Sequence, residues 1–355
     1  MSPIVTVLMP VYNAENYLAE AIESILNQSW TDFEFLIIND SSTDRSREVI
    51  VSFRDPRIRL VDNRTNIGVT RSLNLGLRLA KGELIARQDA DDKSHPERLS
   101  RQKSFLDAHS KVVLLGTSAR AVDADGKPLN LTLRSPLGPL AIRWTLMFNT
   151  AFIHTSVMFR RSIIWDQIGG YNESYYRTQD FELWSRIARE YAVENLPDIL
   201  VERRHEYGSV VSHLPRVLAP IADIIHGNLK AFLQATHIPS DWAHRIVEIR
   251  RIEHLHGTWN WGSVKEMYQQ IFTRYCQLHA EAIKDQTIRS HFAGSLYDVA
   301  YCSAPYNRKV SFRAYVQALK FGRRSERHPS FIKYAVLWFC GDWIWHAYRR
   351  LHRHE

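Results

Sequence analysis

Cysteine is scarce in this chain. Cys276, Cys302 and Cys340 are scattered, with no CxxC spacing. That leaves no basis for a disulfide framework or a zinc site, and the default compartment is a reducing cytoplasm. Long apolar runs are also missing. No stretch of about 18 or more uncharged apolar residues occurs, so no membrane-spanning helix is predicted. The early run Ile4-Val5-Thr6-Val7-Leu8-Met9 is too short for a signal peptide and lacks a basic lead. There is no internal repeat and no low-complexity tract. Charge of one sign does not dominate: 46 Lys and Arg against 38 Asp and Glu leave a net charge of +8. A surplus of that size suits nucleic acid, an anionic membrane or a phosphorylated substrate equally well, and does not choose among them.

What is present is an alternation of strand and helix patterns over the first hundred residues. Ile4 to Met9 reads as a buried strand ended by Pro10. Asn13 then caps a helix whose stripe is Leu18, Ala21, Ile22, Ile25 and Leu26. Phe33 to Ile38, Ile58 to Val61 and Leu84 to Ala86 read as further strands, with a helix over Thr70 to Leu79. Such alternation implies βαβ units and a largely parallel sheet. A helix from Pro96 to about His109, a strand at Val112 to Gly116 and a turn at Asp125-Gly126 continue into a mixed second half. From about Pro215 glycine thins out, tryptophan and histidine increase, and residues 216–355 read as mainly helical.

The most telling segment is Arg87-Gln88-Asp89-Ala90-Asp91-Asp92, where a strand pattern runs into three carboxylates. Like charges packed together are costly unless a cation or a set of donors takes up the charge. At the carboxyl end of a strand in an α/β protein, where ligands bind, this suggests a divalent metal held by one or two carboxylates, with phosphate oxygens and water completing its shell. A solvated turn rich in aspartate is the competing reading.

Four patches stand in order along the chain: Val7-Leu8-Met9-Pro10-Val11-Tyr12-Asn13; Ile37-Ile38-Asn39-Asp40-Ser41-Ser42-Thr43-Asp44; Asn66-Ile67-Gly68-Val69-Thr70-Arg71-Ser72-Leu73-Asn74-Leu75-Gly76, leading to the Asp89–Asp92 cluster; and Gln179-Asp180-Phe181-Glu182-Leu183-Trp184. Taken in order, they resemble the family 2 glycosyltransferases over about residues 3–215. The resemblance implies an α/β protein of the GT-A (Rossmann-like) type, with a mixed, mainly parallel sheet flanked by helices and an α-helical C-terminal region. Residues 1–110 are the expected nucleotide-sugar half, 111–215 the acceptor half and 216–355 the helical remainder. The implied activity is inverting, hexosyltransferase-type transfer from a nucleotide-diphosphate sugar, with a UDP-sugar favoured, to a glycan or lipid-linked acceptor in cell-surface polysaccharide assembly. Mn²⁺ or Mg²⁺ is the implied cofactor, and nothing in the motifs points to nucleic acid.

The residue roles follow the same resemblance. Pro10, Val11 and Tyr12 wall the base, Asp40 accepts a base hydrogen, and Arg71 reaches the base or phosphates. Asp89-Ala90-Asp91 is the DxD motif, with Asp91 on the metal, Asp89 on ribose or a metal-bound water, and Asp92 behind them. His205, in Arg203-Arg204-His205, is a second candidate metal ligand. Asp180 is the expected general base, because a sugar hydroxyl is a poor nucleophile until its proton is being removed. Gln179 stands where that acidic pair often has glutamate, so Asp180 has one less negative neighbour. Glu182 is a less favoured base because it points elsewhere on a helix. His154 either supports Asp180 or is a core histidine. Asn74 is expected to satisfy local backbone, and Glu97 and Arg98 to start an ordinary helix. Ser41 occupies the position of the family's usual loop glycine.

Two other classes compete with this reading. A sugar nucleotidyltransferase needs a glycine-rich basic loop after the first strand, and none follows Met9. A non-catalytic nucleotide-sugar-binding protein does not require Asp180. Near the end, Tyr334 to Trp345 is aromatic-rich, and seven Lys and Arg oppose three Asp and Glu from Phe321 onward. This suits either a helix lying on an anionic membrane surface at the inner face or a core or homodimer helix with a solvated basic end. Asp342 in mid-segment favours the second.

Overall fold

The computed structural model describes residues 3–205, 214–249, 260–303 and 308–321. Two compact units divide the chain, Met1–Ile224 and Ile225–Glu355. The segment Tyr334 to Trp345, on which the membrane and dimer readings rest, lies outside the described residues.

The first unit is built on one sheet. Its strands are β1 (Val5–Val11), β2 (Phe33–Asn39), β3 (Ile58–Asp62), β4 (Leu84–Arg87), β5 (Lys93–Ser94), β6 (Val112–Val122), β7 (Pro128–Leu133), β8 (Met158–Arg160) and β9 (Ala192–Arg204). Their spatial order is β3-β2-β1-β4-β8-β6-β9-β5, with β7 hairpinned onto β6. β3, β2, β1 and β4 run parallel, β8 runs antiparallel to both neighbours, and β9 returns parallel to β6. The expected mixed, mainly parallel sheet is therefore present, flanked by helices.

β1 and β2 are apolar on both faces because helices cover both. On one face, Val5, Val7 and Met9 join Phe33, Phe35 and Ala86 beneath α1 (Leu18–Leu26) and α4 (Arg98–Ala108). Leu8 points to the opposite face, where α3 (Val69–Leu79) lies so close that a Cβ on Gly76 would stand 2.2 Å from a Leu8 methyl. Leu8 is registered with Arg87 across β1 and β4. Side chains alternate along a strand, so Arg87 belongs to the Leu8 face.

Two local expectations are corrected. Pro10 does not end the first strand but pairs in register with Ile38. β4 has already stopped at Arg87, opposite Leu8, so no ladder bond is required of residue 10 on that side. Asn13 is not a helix cap, since α1 starts at Leu18. Asn13 instead takes a positive φ of 50° and accepts a hydrogen bond from the Thr43 amide at 2.8 Å, which ties the loops after β1 and β2 together.

The strand order reverses at β1: β2 lies to one side and β4 to the other. A crevice opens outside the carboxyl ends of the strands at such a switch point, and this is where the Pro10, Asp40 and Asp89 patches end. α6 (Gln179–Glu190) and the long β9 belong to the same unit. Its other helices are α2 (Ser46–Ser52) and α5 (Pro139–Leu146), and α7 (Leu214–Phe232) spans the division between the units. The described part of the second unit is helical, with α8 (Ser240–Ile249), α9 (Trp261–Leu278), α10 (Gln286–Ser303) and α11 (Arg308–Phe321). Phe272 of α9 stacks on Phe292 of α10 at 4.1 Å, and Phe321 meets both edge-on.

Gly82 sets the approach of β4 to β1. A Cβ there would lie 2.4 Å from the Thr6 backbone nitrogen, and the Gly82 amide donates to Thr6 Oγ1 at 2.9 Å. Gly82→Ala must push backbone against backbone. It is expected to cost about 1–3 kcal/mol, read as a lower urea midpoint with an unchanged m-value.

Candidate active site

The crevice holds a cavity of about 340 Å³ whose lining includes Pro10, Val11, Tyr12, Asp40, Asp89, Ala90 and Asp91. These are all of the expected nucleotide contacts except Arg71. Tyr12 is half exposed at 51% and presents a ring to the opening, while Val11 is buried beneath it. Ser41, in the loop that follows Asp40, has a φ of 59°. The position where glycine is usual therefore does adopt the left-handed backbone, and serine tolerates it at some cost.

Asp40 is buried and already engaged. Its Oδ1 accepts from Asn63 Nδ2 at 2.8 Å and from the Ile67 amide at 2.9 Å, and its Oδ2 accepts from the Gly68 amide at 2.8 Å. A carboxylate has about four acceptor sites, so one remains for a ligand donor. Asp40 thus pins the turn that carries Gly68 (φ 87°) into α3 while it lines the pocket.

The acidic turn rests on a buried polar network that the sequence reading missed. Gln88 Nε2 donates to the Asp92 carbonyl at 2.7 Å and to the Asp89 carbonyl at 3.1 Å. Gln88 Oε1 accepts from Ser94 Oγ at 2.7 Å and Arg98 Nη1 at 2.9 Å. Arg98 also donates to the Arg87 carbonyl at 2.7 Å and to Gln102 Oε1 at 3.1 Å. Arg98 is therefore not an ordinary helix start. It is fully buried, and burial, followed by the neighbouring Arg87, pulls its pKa down to about 9.

Above this network the carboxylates separate. Asp91 is exposed at the rim, Asp89 is partly exposed, and Asp92 is buried. Burial first, then the charges of Asp89 and Asp91, push Asp92 well above the usual carboxylate range, while its Oδ1 accepts from the Arg204 amide at 2.8 Å. Arg204 ends β9 and is itself buried. Its guanidinium donates to the Asp91 carbonyl at 3.1 Å and lies 4.1 Å over the ring of Tyr17, another residue lining the pocket. His205 follows, exposed, with its amide donating to the Val122 carbonyl at 2.8 Å. Among the described residues, no three His, Cys, Asp or Glu side chains gather as a complete metal cage. Arg203 to Ser212 resembles the family's segment that closes over the diphosphate, and residues 206–212 of it lie outside the described residues.

On the Leu8 face stands a second constellation. Arg87 is 2% exposed and ion-paired with Asp89 Oδ1, while its Nε makes no hydrogen bond. Asp180 sits in the first turn of α6, partly exposed, where the positive end of the helix dipole favours a carboxylate. Burial raises its pKa, the Phe181 amide, its own amide and Arg87 oppose the rise, and Asp89 adds to it. The missing glutamate at position 179 therefore matters less than desolvation. Glu182 is tied to Arg186 by two contacts of 2.6 and 2.8 Å, in line with its demotion as a base. His154 Nε2 meets Tyr171 Oη at 3.0 Å, and both rings stand edge-on to the buried Trp184 of α6. Burial, with Arg87 and Arg203 nearby, holds His154 neutral.

Arg71 is not brought to the nucleotide cavity. It pairs with Glu173 at 3.0 Å and lines an adjoining cavity of about 610 Å³ with Arg78, Trp165 and Tyr171. Asn74 reaches into the same region. It exchanges hydrogen bonds of 2.9 Å with both backbone groups of Tyr171, so the backbone it satisfies is distant in sequence and not local.

The arrangement puts a cavity at the switch point, an acidic turn beside it and a carboxylate in the first turn of α6. The Glycosyl transferase family 2 profile matches residues 6–168. EpsE of Bacillus subtilis (strain 168), named as a glycosyltransferase, is 35% identical over 210 residues, which cover 58% of this chain and 74% of EpsE. The amylovoran biosynthesis glycosyltransferase AmsE of Erwinia amylovora is 30% identical over 204 residues, covering 56% of this chain and 75% of AmsE. The S. aureus TarS 1–349 structure in complex with UDP-GlcNAc superposes with a TM-score of 0.54 at 18% identity, over 89% of this chain and 90% of that one, and so shares the fold. The chain belongs to glycosyltransferase family 2 and is a glycosyltransferase.

Asp40→Asn separates the two tasks of that residue. An amide nitrogen at the Oδ2 position would face the Gly68 N–H, so stability without any ligand is expected to fall by about 1–3 kcal/mol. Urea unfolding of the free protein checks this, and UDP titration of the same preparation tests the base contact expected of Asp40.

Proposed function

We propose that the protein transfers a sugar, with inversion, from a nucleotide-diphosphate sugar to a hydroxyl of a glycan or lipid-linked acceptor in cell-surface polysaccharide assembly. UDP-sugars are the favoured donors. The observation that carries this reading is Asp180: a carboxylate at a helix N-terminus, on the same face as Arg87 and within electrostatic reach of Asp89, raised in pKa by burial. AmsE supports the polysaccharide setting, and the UDP-GlcNAc complex of TarS supports the donor class.

The base packs against Tyr12 with Asp40 as its acceptor partner, and the diphosphate lies toward Asp89 and Asp91. The donor set there fits a hard divalent cation. Asp91 is exposed at the rim beside two other carboxylates, of which Asp92 is raised by burial first and then by the charges of Asp89 and Asp91. His205, at the end of β9, is the second candidate. Mn²⁺ or Mg²⁺ on Asp91 would supply Lewis-acid stabilisation of the charge left on the diphosphate. Asp89, held by Arg87, is directed at the ribose or a bound water, and Asp92 stays behind, fixing Arg204. The adjoining cavity, with Trp165 and Tyr171, gives the acceptor a route beside α3. Asp180 takes the proton of the acceptor hydroxyl as its oxygen attacks the anomeric carbon from the side opposite the diphosphate.

A raised pKa suits this role, because a base is most effective near the working pH. The base works ionised, so activity is lost as pH falls through the Asp180 pKa. The acid limb of kcat/KM is expected above the 3.8 of an ordinary aspartate.

Nucleotide release with a panel of UDP- and GDP-sugars, Mn²⁺ and acceptors tests the assignment. Asp180→Asn should lower kcat by about 10²–10⁴ while UDP still binds. Glu182→Gln should keep most of the activity, and Asp91→Ala should lose the metal dependence along with turnover. Normal transfer by Asp180→Asn would remove Asp180 as the base. UDP binding without turnover by the unaltered protein on any acceptor would favour a non-catalytic nucleotide-sugar-binding role.

A further inference from the structure

Holding Asp89 accounts for only part of a buried arginine beside the acidic turn. Arg87 closes β4, and its backbone amide donates to the Val157 carbonyl at 2.9 Å, which fixes its root against the turn that carries His154. Its guanidinium is 2% exposed, touches Asp89, and leaves its Nε without an acceptor. A charge buried so deeply is costly unless surrounding groups answer it. The groups that feel it come from every element packed around the site. These are Asp89 beyond β4, His154 in the turn before β8, Tyr171 in the loop before α6, and Asp180 in the first turn of α6. Glu182, the other acid of that turn, is neutralised by Arg186. Arg98, the second buried guanidinium, is satisfied by Gln88, Ser94, Gln102 and backbone carbonyls. Arg87 alone of the two keeps an unanswered donor.

We propose that Arg87 is a positioning residue for the transfer step, a fixed countercharge shared by Asp89 on the donor side and Asp180 on the acceptor side. The inference rests on the reading of Asp180 as the base. One guanidinium, planar and permanently charged, pairs with Asp89 and acts at longer range on Asp180. Its charge joins the amides of Phe181 and Asp180 in opposing the rise that burial imposes on the Asp180 pKa. Lysine would serve less well, because a buried ammonium can lose its proton.

The test follows donor turnover from pH 5 to 9.5 in the full chain for wild type, Arg87→Gln and Arg87→Lys, with UDP titration calorimetry on each preparation. For Arg87→Gln, the acid limb of kcat should move up by one pH unit or more, a tenfold loss at a pH below the limb. The loss should shrink toward alkaline pH, with the donor KM within about threefold of wild type. Arg87→Lys should keep the acid limb in place and lose activity above about pH 8, as its ammonium deprotonates. Should Arg87→Gln fail to bind UDP, and so to fold, Arg87→Lys decides by that alkaline loss. A pH-independent drop in both variants, a change in donor KM alone, or a wild-type profile in Arg87→Lys would overturn the proposal. Failure of the base assignment is distinguishable: there Asp180→Asn transfers normally whatever Arg87 does.

Discussion

Three carboxylates can share one tight turn here because buried guanidiniums stand beneath and beside them. Arg98 holds the Arg87 carbonyl and Gln88, Gln88 holds the carbonyls of Asp89 and Asp92, and Arg204 closes the far side through its amide and its guanidinium. Like charges in close contact repel, and the repulsion grows as water is removed. The structure answers by grading exposure, leaving Asp91 at the rim and sinking Asp92 until burial shifts it toward the neutral form. The pocket, the metal candidate and the reach of Asp180 all depend on that turn keeping its shape.

The sheet delivers the pieces to one place. Parallel strands on either side of β1 end at the same edge, so segments far apart in sequence meet at the switch point. The second half of the unit then inserts β8 between β4 and β6 and sends β9 back along β6. That return carries Arg204 to the acidic turn, and α6 leads directly into it. The cluster of Phe152, His154, Tyr171 and Trp184 supports α6 from below, with ring centroids about 6 Å apart. A carboxylate on a helix seated on packed aromatics is held more tightly than one on a loop.

Family resemblance and local pattern part company at Arg71 and Arg87. Arg71 follows the glycine turn in sequence, which suggests a ligand contact, but the rotation of α3 carries its side chain to Glu173 and the neighbouring cavity. Arg87 looked like the end of a strand. The signal was present, since a charged residue closing the short buried run Leu84-Ile85-Ala86 is unusual unless its charge is answered. Asp40 shows a third case: its motif suggests a base contact, while its three present partners are loop donors, visible only once the 63–68 turn is folded around it.

By itself the sequence determined the sheet-and-helix alternation of the nucleotide half, the acidic turn and the acid at the head of α6. Each of these is written in local periodicity or in a short motif whose geometry is set within a few residues. Tertiary structure decided the rest. It chose which arginine faces which carboxylate, separated Asp89, Asp91 and Asp92 by exposure, and placed β8 against β4. Electrostatics and burial depend on distances across the fold, and those distances come from packing between segments that one-dimensional spacing does not relate.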